Sequence, residues 1–118
     1  MSRKLDAAIA EALGYEVFWV GDGRLDVPRY KSKKCSSWPS RPVRHYSTDG
    51  YDVLILLEEE MWERGWRFKL HSESPQEWVA TIWRMEDQLE VYCEVGKRLP
   101  KAVALAAYHA LTGKEWGK

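Results

Sequence analysis

Long apolar runs are missing from this chain of 118 residues. The longest strongly apolar stretch, Val53 to Leu57, covers five residues, against the ~20 that a bilayer-crossing helix needs. No membrane partner is therefore expected. Cysteine is scarce as well: Cys35 and Cys93 are the only two, far apart and without neighbours at metal-ligand spacing, which argues against a disulfide framework. The basic opening Met1-Ser2-Arg3-Lys4 runs into Leu5 and Asp6 instead of an apolar signal core, so reduced thiols and a cytoplasmic location are the expectation. Charge of one sign is not in excess either. Eighteen Lys and Arg balance eighteen Asp and Glu, so no global field draws the molecule to nucleic acid or anionic lipid, and any such attraction has to come from local clustering.

Several common chemistries also lack their parts. His45, His71 and His109 fall on different predicted elements, and none has a carboxylate or thiol three or four residues on along a helix to make a metal pair, so no metal site is expected. Gly21 and Gly23 join two strands and do not extend into a phosphate-binding fingerprint, which leaves no nucleotide cofactor. Cys93 alternates with Val91 and Val95, a setting in which cysteine usually acts as a small hydrophobe, so it is a poor candidate nucleophile. No catalytic residue is assigned.

What is present is a core. Hydrophobic residues make up 45% of the chain and charged ones 31%, the balance of a packed globular domain. With no repeat or linker in sight, residues 1–118 read as one domain. Ser2 can cap a first helix with Leu5, Ala8, Ile9, Ala12 and Leu13 on one face, and Gly14 stops it. Tyr15 to Val20 reads as a strand, Gly21 to Gly23 as a turn, and Arg24 to Val27 as a second strand. Pro28 to Tyr46 holds three prolines and four serines and reads as a long connection. Ser47, Thr48 or Asp49 can cap a second helix carrying Tyr51, Leu54, Ile55, Leu57, Met61 and Trp62, ended by Gly65.

From Trp66 the period changes to two. Trp66, Phe68 and Leu70 alternate with Arg67, Lys69 and His71, so a strand with one buried face is expected. Glu77 to Met85 and Leu89 to Val95 follow as strands, the last with Leu89, Val91, Cys93 and Val95 on one side. Pro100 opens a final helix with Val103, Ala106, Ala107, Ala110 and Leu111 in a small-residue stripe, closed by Gly113. The fold class is α+β in the order α-β-β-α-β-β-β-α, an antiparallel sheet with helices packed on its faces. On this reading Trp19, Trp62, Trp66 and one of Trp78 or Trp83 are core residues, whereas Trp38 and Trp116 stay free.

The short opening helix, the aromatic strand Tyr15 to Val20, the helix entry His45-Tyr46-Ser47-Thr48-Asp49 and the exit Glu63-Arg64-Gly65-Trp66 resemble the phage ABA sandwich domain family, as does the alanine-rich helix after Leu99-Pro100. That resemblance implies a phage or prophage protein in the host cytoplasm and a layered helix-sheet-helix sandwich. It carries no activity and no site residue with it. The α-β-β-β-α order from Thr48 to Gly113, with Lys97, Arg98 and Lys101 at the last helix start, is also that of a double-stranded RNA-binding domain. The turn Ser72-Glu73-Ser74-Pro75-Gln76-Glu77 lacks that family's glycine-proline-x-histidine pattern, which leaves the likeness topological.

The most informative local feature is the stretch 28–46, where Arg29, Lys31, Lys33, Lys34, Arg41 and Arg44 occur without one acidic residue. Tyr30 and Trp38 interleave with them, and cations for phosphates beside aromatic planes for bases suit single-stranded nucleic acid. Asp49, Asp52, Glu58, Glu59, Glu60 and Glu63 follow at once. The basic stretch can therefore equally fold back on the acidic helix or pair with another protein, including a second copy. The expectation is a non-catalytic binding domain with a protein partner; nucleic-acid binding through Arg29, Tyr30, Lys31, Lys33, Lys34, Trp38, Arg41 and Arg44 is the alternative, and an enzyme of unknown class the third.

Overall fold

The computed structural model describes residues 3–20, 27–31, 41–84 and 91–117. Helix α1 (Arg3–Ala12) buries Leu5, Ile9 and Ala10, and Gly14 ends it with a φ of 100° that a side chain would resist. Strand β1 (Glu16–Val20) pairs antiparallel with β2 (Val27–Lys31), from Glu16 opposite Lys31 to Val20 opposite Val27. The hairpin is as expected, but its second strand starts at Val27, where the expected strand Arg24 to Val27 ends. Residues 21–26 lie outside the described part. A two-residue strand β3 (Arg41–Pro42) pairs with Arg29 and Tyr30, so the expected long connection has strand structure near both ends. Pro28 is tolerated in the middle strand because β3 reaches only its two successors, leaving the position with a neighbour on one side.

Helix α2 (Gly50–Ile55) is capped by Asp49, whose carboxylate accepts from the Tyr51 and Asp52 backbone N–H groups. It continues as a π-helical turn (Leu56–Met61), where the Trp62 N–H bonds to the Leu57 carbonyl five residues back. Val53, Leu56, Leu57 and Met61 are buried. Tyr51, Leu54 and Trp62, expected on the apolar side, are 71%, 47% and 48% exposed. The apolar residues spread over more of the helix surface than α3, its covering helix, can shield.

Strands β4 (Trp66–Ser74), β5 (Glu77–Arg84) and β6 (Val91–Gly96) form a second antiparallel sheet in that order. Helix α3 (Leu99–Thr112), with Pro100 in its first turn and Gly113 at its C-cap, packs on β5 and β6 and touches α1 and α2 as well. Ala102, Val103, Ala104, Ala106, Ala107 and Ala110 are all buried, as a helix covered on several sides requires. The small side chains permit close approach. A Cβ at Gly96 would stand 2.7 Å from the Ala102 backbone nitrogen. Helices packed on antiparallel sheet confirm the α+β class and the element order, with β3 added. Among the described residues no helix is long and apolar enough to cross a membrane.

The core joins Leu5, Ile9, Val43, Tyr46, Val53, Leu56, Leu57, Met61, Trp66, Ala80 and Ile82 with the alanines of α3. One fully buried carboxylate ties it together. Asp6 accepts from the Ser47 N–H at 2.8 Å and pairs with Arg3 at 2.8 Å, and the Arg3 guanidinium also donates to the Val43 and Arg44 carbonyls.

Candidate interaction surface

The basic stretch divides under the fold. Arg29, Tyr30 and Lys31 lie on β2 and Arg41 on β3, with Lys31 at the ladder position opposite Glu16. Lys33, Lys34 and Trp38 fall outside the described residues. Arg44 is engaged: its guanidinium is 3.5 Å from Asp52, whose other oxygen accepts the His45 N–H at 2.7 Å. Here, among the described residues, the basic stretch folds back on the acidic helix. Trp19, expected in the core, is 44% exposed on β1.

The sheet β4-β5-β6 corrects a second expectation. Its register sets Phe68 opposite Ile82 and Ile82 opposite Tyr92, and this row, with Trp66, Leu70 and Ala80, meets the core. Alternation then sends Val91, Cys93 and Val95 to the other face. There Val91 is 55% and Val95 50% exposed, and the free thiol of Cys93 is exposed between them. The sequence misleads here because Glu94 looks like the outward residue. It turns inward instead, since His109 of α3 lies 3.2 Å from its carboxylate.

The open face has three rows. Trp83 stands opposite Val91, Thr81 opposite Cys93 and Val79 opposite Val95, while on the other flank Arg67, Lys69 and His71 stand opposite the same three residues of β5. A half-buried central row is thus flanked by an aliphatic row on β6 and, on β4, by a row that holds the cations Arg67 and Lys69. Thr81 Oγ1 donates to Cys93 Sγ at 3.7 Å. Arg67 lies over the Trp62 ring at 3.6 Å and donates to the Trp62 and Trp66 carbonyls, so its charge is held at the edge of the face.

Comparisons with protein-family models, curated proteins and solved structures return no match.

Two other places gather functional groups. Beside the β4–β5 turn, a groove is lined by Pro75, Gln76, Trp78, Lys97, Arg98 and Leu99, which brings two cations and an indole to the start of α3. At the far end of α3, Glu94, His109 and Glu115 offer ligand atoms that all lie within 4.8 Å of one another. Their separation along the chain hid this cluster from the sequence reading. Trp116, expected to be free, packs edge-on against Tyr108 at 5.1 Å.

Proposed function

We propose that this chain is a non-catalytic interaction domain, and that the protein it binds through the open face of β4-β5-β6 is a second copy of itself. The observation that carries this reading is the outward display of Val91 and Val95, each about half exposed, on a sheet whose opposite face is packed on α3. Apolar side chains grouped on one exposed face mark an interaction site.

The row order favours a second copy. A twofold axis parallel to the strands lays β5 over β5 and β4 over β6. The stems of Arg67 and Lys69 then cover Val91 and Cys93, with His71 over Val95, while the charges of the first two reach the rim. A twofold across the strands would stack the β4 rows, with Arg67 and Lys69, on each other, which like-charge repulsion disfavours. Three strands ~4.8 Å apart and about six residues long present on the order of 300 Å² a side. This is well below the ~800 Å² per partner of a standard stable interface, so the association is weak, micromolar at best. With the resemblance drawn above, the reading extends to a phage or prophage protein; its support is the sequence motifs.

Sedimentation equilibrium over a wide concentration range tests it. The mass should rise from the 13.8 kDa of one chain towards twice that value. Val91→Lys should abolish the rise by facing new charge onto the partner's cations, whereas Val91→Glu should be tolerated better. A strict monomer at every concentration sinks the self-pairing.

The groove at Lys97 and Arg98 supports a second reading, nucleic-acid binding, because it sets cations beside Trp78 as phosphate and base contacts require. Short single-stranded DNA should then bind with an affinity that falls steeply with salt. Exchanging Lys97 and Arg98 for Gln should flatten the salt slope by roughly two charges. A salt-independent or absent signal removes this reading.

A further inference from the structure

We infer that Glu94, His109 and Glu115 form a binding site for one divalent transition-metal ion of the zinc class. The three side chains come from β6, from the last turns of α3 and from the segment after it. Gly113, at a φ of 73°, turns the chain out of α3, and Thr112 Oγ1 accepts the Lys114 N–H at 3.1 Å, which fixes the path that carries Glu115 back towards His109.

The spacing suits a metal. Ligands bound at about 2.0–2.1 Å in tetrahedral geometry stand about 3.3 Å from one another. The Nδ1 of His109 and the nearer Glu94 oxygen are 3.2 Å apart, so this pair already has ligand-to-ligand separation. The widest gap among the three ligand atoms is at most 4.8 Å. Closing it falls to Glu115, the one member of the three that is exposed. Glu94 and His109 are half-buried, and the Tyr92 ring stands edge-on to the imidazole at 4.8 Å, which limits the rotamers open to His109.

The donor set selects the ion. One imidazole with two carboxylates favours zinc and its first-row neighbours over magnesium or calcium, which take oxygen ligands in larger number. Three protein ligands leave the fourth position to water, the count of an open site.

The test is calorimetric titration of the full chain with zinc chloride. Cys35 and Cys93 are replaced by Ser, so that thiols contribute nothing. One equivalent should bind, and magnesium chloride should give no heat. His109→Ala and Glu115→Gln should each weaken binding at least about tenfold. Glu115 is exposed, so its variant keeps the fold even if the His109 variant loosens it. Cobalt(II) in place of zinc should give the visible bands of a four- or five-coordinate ion. No heat with zinc, or binding that Glu115→Gln and His109→Ala leave unchanged, overturns the assignment.

Discussion

Asp6 shows how a single side chain can hold two distant parts of the chain together. Its carboxylate has no exposed surface, yet it takes the Ser47 N–H and the Arg3 guanidinium, while Arg3 reaches the carbonyls of residues 43 and 44. Removing one partner of such a pair leaves the other without compensation, and that costs more than the pair itself contributes. Asp6→Ala should destabilise the protein by about 3–5 kcal/mol in urea unfolding. Asp6→Asn should cost less, because the amide oxygen can still accept from Ser47. An alanine variant within about 1 kcal/mol of the parent would show that the network contributes little. Nothing in the sequence singles Asp6 out: an acid among apolar helix positions reads as solvated until Ser47, 41 residues on, is seen to meet it.

At the scale of elements, the stops were legible and the faces only partly so. Gly14, Gly65 and Gly113 end their elements in the left-handed region because that conformation strongly favours glycine. Trp66, Phe68 and Leu70 show their inward face by regular alternation with Arg67, Lys69 and His71. β6 deceived because its aliphatic residues face outward and its carboxylate is satisfied inside by α3, a tertiary fact that no local pattern encodes. In α2 the apolar residues outnumber the covered positions, and the π turn makes ordinary helical spacing a poor guide. Alanine substitution separates the flanks. Leu57→Ala should cost about 2–5 kcal/mol, and Leu54→Ala, half exposed, less than about 1. Equal losses would mean that the helix presents a different face.

At the scale of the whole molecule, the class and order of elements followed from period and punctuation, whereas the surface proposed for self-association did not. The basic stretch 28–46 drew attention through composition, and the fold distributes its described members over β2, β3 and an ion pair with Asp52. The surface that offers apolar area lies elsewhere, on the outward side of β6 and β5. It became visible only through the ladder register, which assigns every residue of three strands to one side or the other. Whether that side meets a second copy is decided most directly by the concentration dependence of the mass in sedimentation equilibrium, comparing the parent chain with Val91→Lys and Val91→Glu. Association by the parent, its loss with lysine and its partial retention with glutamate are expected. A parent that stays at 13.8 kDa throughout, or variants that associate alike, would contradict the pairing of β4 over β6.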